Sequence, residues 1–414
     1  MNRRMEIMAP AGDFESLQAA IDNGADSVYF GVEQLNMRAR SSRNFRTEDL
    51  AEIRQRTARA GVKAYLTLNT VLYDHDLPMA RRLVRLAKDE GMDAVIVSDQ
   101  AAIFMAREAG IPVHLSTQLN ISNVESLKFY AAYADTVVLS RELSVGQVKH
   151  IAEEIRRQHI TGPSGRPVRL EVFAHGALCM AISGKCYLSL HTYHSSANRG
   201  ACKQNCRHPY LVIDKETGME LEVDNEYIMS PKDLMTINFL DEIGAAGVDI
   251  LKIEGRARAA DYVAVTTRVY REAAEALVSG TYTPQRVEQW VRELATVYNR
   301  GFWDGYYLGR RLGQWANPGN RAVRKKIYVG RGQKYYAKAG VGEFRIEAFE
   351  LRRGDRIMII GPSLGVREMT LDEFYVNDRP GEVAAKGDIL AVKFPEKIRP
   401  SDKLYKIVDN PDAG

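Results

Sequence analysis

The feature that most narrows the fold is an alternation kept up over the first 280 residues. Short aliphatic, β-branched runs are each followed by a stretch of helical, amphipathic period. The runs are MEIMAP (5–10), DSVYFG (26–31), VKAYLTLN (62–69), AVIVSD (94–99), PVHLSTQ (112–118), TVVLSR (136–141), VRLEVFAHG (168–176) and DILKIEG (249–255). Helical patterns cover 14–24, 47–61, 77–91, a stretch ending at Gly110, 122–133, 144–158, 230–247 and 260–280. Strands and helices in strict alternation make parallel strands joined by right-handed crossovers. Eight such units are the number that closes a barrel. An open doubly wound sheet is the alternative, but no G-x-G-x-x-G follows the first run. The expected class is α/β, a (β/α)8 TIM-like barrel over residues 1–283 followed by a small all-β barrel domain.

That second domain rests on a change of texture after residue 280. One more helix is expected at 284–299, then an aromatic, glycine-rich connector to 324. From 325 to 414 the chain reads as short strands and turns, with a recurring phrase: LRRGDRIMIIG (351–361), AAKGDILAVKF (384–394) and IRPSDKLYKIV (398–408). A small residue and Asp before an alternating apolar run suit tight turns in a compact β-barrel of six or seven strands. At the join, residues 313–340 carry Arg321, Arg324, Lys325, Lys326, Arg331, Lys334 and Lys338 and no acid. Trp315, Tyr328, Tyr335 and Tyr336 are interleaved with them. A solvated linker is the plainer reading; a nucleic-acid approach, with cations on phosphates and rings on bases, is the other.

Active sites of such barrels lie at the C-terminal ends of the strands. The loop after the seventh run (174–227) holds every cysteine of the chain: Cys179, Cys186, Cys202 and Cys206, spaced C-x6-C-x15-C-x3-C. No window approaches the roughly 18 apolar residues of a membrane span. The expected location is therefore cytoplasmic and reducing, where clustered thiols bind metal or react rather than form disulfides. The spacing leaves three uses open. Zinc prefers two short knuckles, and only the C-x3-C pair resembles one. An iron–sulfur cluster takes four thiolates at looser spacing, and Lys185, Arg199, Lys203 and Arg207 beside them suit an anionic group. A nucleophilic thiol with one of His175, His191, His194 or His208 is the third; no H-E-x-x-H occurs. Polar residues at other strand ends are the remaining site candidates: Glu254, Arg256, Arg141 and His175 for catalysis, with Asn69, Gln118, Asn120 and Glu142 for substrate binding.

The segment EVFAHGALCMAISGKCYLS (171–189) closely resembles the signature of the collagenase-like peptidases, family thirty-two of unassigned catalytic type. MAPAGDFESLQAAIDNGADSVYFG, HLSTQLNISN, LSRELS, YIMSPKDL and LKIEGRAR are similar to that family too, in order and at the expected spacing. Within it the chain looks most like the branch of prephenate-dependent tRNA uridine 5-hydroxylation proteins, which carry a C-terminal β domain. A sister branch hydroxylates ubiquinone precursors without oxygen. The resemblance implies a 4Fe-4S cluster on Cys179, Cys186, Cys202 and Cys206, tRNA as substrate and prephenate as a required metabolite. Prephenate is a dicarboxylate, for which guanidinium groups are the natural partners; Arg38, Arg40, Arg141 and Arg256 fall in loops on the expected catalytic face. The family label also carries a protease reading. The electron donor and any partner subunit are not readable from the residues.

Overall fold

A computed structural model describes residues 4–40, 43–208, 211, 213–219, 230–309, 314–316 and 319–411. Eight parallel strands close on themselves. They are β1 (Glu6–Pro10), β2 (Ser27–Phe30), β3 (Lys63–Leu68), β4 (Ala94–Val97), β5 (Val113–Leu115), β6 (Thr136–Val138), β7 (Arg169–Ala177) and, after a short strand β8 (Asp233–Met235), β9 (Ile250–Ile253). β9 pairs in parallel with both β1 and β7 and seals the ring. The expected (β/α)8 barrel is the observed one.

The helices follow from local chemistry. Asp13 and Ser16 form a capping box ahead of α1 (Phe14–Asp22), and Asp49 accepts from the Arg46 amide just before α2 (Leu50–Arg59). α3 (Leu77–Asp89) buries Ala80, Leu83, Val84 and Ala87, the i, i+3, i+4, i+7 stripe of a helix lying on a sheet. α4 (Gln100–Ala109) starts on the Asp99 carboxylate and stops at Gly110 in the left-handed region. α5 (Val124–Ala131) is capped by Asn123 and α6 (Val145–Arg157) by Ser144. A continuous apolar layer fills the space between strands and helices. Inside the ring a second cluster of Met8, Tyr29, Tyr65, Ala94, Ile96 and Ile250 packs the barrel. Burial of Met8, Ile96 and Ile250 contributes about 1.5–3 kcal/mol each.

Residues 230–247 depart from expectation. The helical pattern there yields β8 first, antiparallel to β7 (Gly176↔Leu234, Ala177↔Asp233), and only then α8 (Leu240–Ala245). β7 runs nine residues while β5 and β6 run three, so its end projects beyond the ring. Its amides and carbonyls there need partners, and β8 supplies them. The alternating run LVIDKETGMELEV (211–223), which suits a short hairpin turning at Thr217-Gly218, is described at 211 and 213–219. There the Asp214 amide donates to Met219 O (2.9 Å) and the Gly218 amide to Asp214 O (2.8 Å), closing a turn. Residues 212 and 220–223 lie outside the described residues. Among its described residues the cysteine loop contains one short α-helix, α7 (Leu188–Tyr193).

α9 (Ala260–Ser279) and α10 (Pro284–Leu294) end the helical part, and β10 (Phe302–Trp303) adds to β8. The expected small β domain follows: β11 (Arg324–Tyr336), β12 (Val341–Ile346), β13 (Leu351–Arg352), β14 (Arg356–Gly361), β15 (Gly365–Thr370), β16 (Phe374–Val376), β17 (Arg379–Gly381), β18 (Val383–Ala384), β19 (Ile389–Lys393) and β20 (Lys403–Asp409). Eight of these form one antiparallel sheet around a separate apolar core, so the strand number exceeds the six or seven expected. The recurring phrase has a single physical meaning. Asp355, Asp388 and Asp402 each accept a bond from the backbone N–H three residues earlier, at 2.7, 2.8 and 2.7 Å. This closes three turns the same way. The sheet leans on α1 and α9 through Met358 and Ile360, Lys403–Glu15 (2.9 Å), Arg367–Asp22 (3.0 Å) and Lys326–Asp261.

Candidate active site

One cavity opens at the C-terminal ends of the barrel strands. All four cysteines line it, together with Arg38, Arg141, Lys252, Glu254 and Arg256. The thiols are free, Cys179 exposed and the other three half-buried. They lie close enough to act on one another. Burial pushes the Cys206 thiol up, Arg207 pulls it down, and Cys179, Cys202 and Cys186 add upward pushes.

The loop is fastened to the barrel by polar ties. Arg207 donates to Leu178 O (2.6 Å), Pro231 O (2.6 Å) and Ser230 Oγ (2.7 Å). Arg199 donates to Asp76 Oδ2 at 2.6 Å and stacks on Tyr73. The Asn198 side chain accepts from the Cys186 amide (3.2 Å), and the Gln204 amide points at Cys202 Sγ (3.4 Å). Gly200, at φ +83°, is the tightest approach: a Cβ there would sit 2.3 Å from Asn36 O. Only glycine lets the loop lie so close.

In the same cavity, Glu254 at the end of β9 receives Arg38 Nη2 at 2.8 Å. Burial pushes its carboxyl up, but Arg38, Arg141 and Arg256 together outweigh that and hold it at about 2. The same ion pair pushes Arg38 upward. Arg256, 5% exposed, donates to Asn36 Oδ1 (2.9 Å) and Thr67 Oγ1 (3.0 Å); burial lowers it to about 10. Arg141 stacks over Phe173 at 3.8 Å and gives one bond to Ala177 O (3.1 Å), while its Nε is buried with no hydrogen-bond partner.

A carboxylate held at about 2 in the folded chain, against 4.5 unperturbed, makes folding pH-dependent. Its contribution, about 3 kcal/mol, is present above pH 4.5 and is lost as the pH falls toward 2. Glu254→Gln is expected to flatten the loss of stability between pH 4.5 and 2 by that amount. Denaturant titrations across the window check this; parallel wild-type and variant curves would contradict it.

The structure sorts the expected residues. Glu254, Arg256, Arg141 and Arg38 meet at the cavity, with Asn69 and Gln118 on its wall. Asn69 Nδ2 donates to Ser116 Oγ and Gln118 Oε1, both at 3.3 Å. Asn120, left-handed at φ 53°, lies off the cavity wall; its Nδ2 donates to Ser183 O (3.1 Å), tying the cysteine loop to the barrel. Arg40 and Glu142 are exposed outside the cavity; Glu142 accepts from the Ser140 hydroxyl and Arg40 N–H donates to Gly200 O.

His175, expected among the catalytic groups, is turned away. The β7–β9 register shifts between Phe173 and His175. Glu171 and Phe173 point inward, but the bulge sends His175 outward between Tyr262, Tyr270 and Phe302. There burial, with Arg258, lowers it to about 3.

Sequence reasoning missed the cavity floor. Lys252 Nζ donates to Glu171 Oε1 at 2.6 Å, with both side chains almost fully buried. His114 Nδ1 stands 4.0 Å from Glu171 Oε2, and neither atom has a hydrogen-bond partner. Lys252 also lies 4.5 Å from the Tyr29 ring centroid. A single acid in VRLEVFA and a single base in DILKIEG, on apolar runs that become neighbours, was the available signal.

Fold and site together define a barrel enzyme class whose strand-end cavity is walled by four thiols. The chain belongs to peptidase family U32, whose model matches residues 12–317. A protein named "Collagenase" from Porphyromonas gingivalis (strain W83) is 56% identical over 402 residues, covering 97% of each chain. "tRNA hydroxylation protein P1" from Bacillus subtilis is 29% identical over 416 residues, covering 98% of this chain and 96% of that one. "23S rRNA 5-hydroxycytidine C2501 synthase" from Escherichia coli is 34% identical over 425 residues, covering 99% of this chain and 60% of that one. Relatives named for collagen cleavage and relatives named for RNA hydroxylation thus share one family with this chain. No helix among the described residues is long and apolar enough to cross a membrane.

Proposed function

We propose that this chain is an iron–sulfur RNA hydroxylase that places a hydroxyl group at C5 of a pyrimidine, with the wobble uridine of tRNA as substrate and prephenate as required metabolite. The observation that carries the reading is the shared cavity, lined by four thiols together with three guanidinium groups and Glu254. Tetrahedral thiolates about 2.3 Å from zinc would lie within about 4 Å of one another. Among the described residues no three His, Cys, Asp or Glu side chains close on a single ion that way. A multi-iron cluster spreads its thiolates over a larger body and suits this donor set. Cys179, Cys186, Cys202 and Cys206 would hold it.

Replacing C5–H by C5–OH adds an oxygen atom and removes two electrons from the base, so the reaction needs an oxygen donor and a two-electron acceptor from outside the chain. A cluster held by Cys179, Cys186, Cys202 and Cys206 would supply one-electron transfer, which no side chain here offers. The protein's own residues bind and orient. Arg38 is committed to Glu254 and Arg256 to Asn36 and Thr67. Arg141, stacked flat with Nε unused, is the group poised to take a carboxylate of prephenate. A wobble base is already single-stranded, so little unstacking opposes its entry.

A cysteine-protease reading finds less support. No described cysteine is hydrogen-bonded to a histidine, and His175 is enclosed by aromatic rings. Mass spectrometry of tRNA and rRNA nucleosides from cells with and without the gene tests the proposal. Loss of 5-hydroxyuridine on deletion, restored by the gene, is expected. Unchanged nucleosides, with gelatin cleavage by the pure protein, would replace it with the collagenase reading.

A further inference from the structure

Resting on that reading, we infer that the exposed face of the cysteine loop is the surface on which single-stranded RNA stacks before a base enters the cavity. Residues 179–208 contain Lys185, Arg199, Lys203 and Arg207 and no acidic residue. Two of these cations are committed to fixing the loop, Arg199 to Asp76 and Arg207 to backbone carbonyls. Lys185 and Lys203 are exposed.

Between them Tyr187 and Tyr193, at the two ends of α7, are 68% and 53% exposed. Rings this open on a well-tied segment do not serve the core. Rings and cations interleaved without acids are the composition of a single-strand platform: bases stack on the rings while the ammonium groups meet phosphates. The loop is preorganised by its ties to Asp76 and Ser230, so ordering it costs little on binding.

The basic join at 313–340 is the weaker candidate. Within it β11 (Arg324–Tyr336) has Lys326 spent on Asp261 and Arg331 on Glu347 (2.8 Å). The loop face also borders the cavity itself, because Cys186 and Leu188 line it.

The test is fluorescence anisotropy of full-length, anaerobically purified protein with a 17-nucleotide tRNA anticodon stem-loop and with a blunt RNA duplex of equal length. Loss of one stacked base costs about 1–3 kcal/mol. Tyr187→Ala/Tyr193→Ala should therefore weaken stem-loop binding at least tenfold, with iron content and melting temperature unchanged. Tyr187→Phe/Tyr193→Phe should stay within twofold. Lys185→Gln/Lys203→Gln should lower the slope of log Kd against log salt by about 1.4, two phosphate contacts at about 0.7 each. Wild-type affinity in the double alanine variant would overturn the inference while leaving RNA hydroxylation intact. A wild type that ignores both RNAs but binds denatured collagen would overturn both.

Discussion

Cys202→Ser is expected to lose bound iron and to drop 5-hydroxypyrimidine formation below detection, while the fold survives. The physical reason is ligand softness: a serine hydroxyl at neutral pH is a poor donor to iron where a thiolate is a good one. The fold should survive because Cys202 is half-buried at a loop, and its one local bond, from the Gln204 amide, is weak. Substitutions of that kind usually change stability by less than about 0.5 kcal/mol. Iron content, melting temperature and nucleoside analysis of a complemented deletion strain check it together. A serine variant with full iron and full modification would remove Cys202 from the site.

Glu171→Ala should give the largest stability loss of any single change at the cavity floor, about 3–5 kcal/mol. Lys252 is nearly fully buried and its ammonium is held by this carboxylate at 2.6 Å. Removing the acid leaves an uncompensated charge among Met8, Tyr29 and Phe173. Lys252→Met added to Glu171→Leu should recover most of the loss, since a matched apolar pair carries no such charge. Denaturant unfolding of the single and double variants measures both. A single-variant cost under 1 kcal/mol, or no recovery in the double, would mean that water reaches the pair.

The alternation of strand and helix runs was enough to fix the barrel, because closure depends on the number of units and not on side-chain detail. The cysteine set and Glu254 were legible for the same reason: strand order places their loops at one mouth. Asp355, Asp388 and Asp402 show that even the turn chemistry of the β domain was written in a repeated phrase. Three features were hidden. β8 carries a mixed pattern and exists because β7 overruns the ring. His175 lies two residues beyond Phe173 in an alternating strand, and a bulge invisible in the sequence reverses its direction. Glu171 and Lys252 look like two unrelated charges until β7 and β9 become neighbours, 81 positions apart along the chain.

The central claim is that the four thiols at the barrel mouth hold iron for an oxidation of RNA. Iron and acid-labile sulfide analysis of protein purified without oxygen, read beside its visible absorption, tests it most directly. The account expects a brown protein with about four irons and four sulfides per chain, the stoichiometry of a four-thiolate cluster. A colourless protein carrying one zinc, or no metal at all, would contradict it.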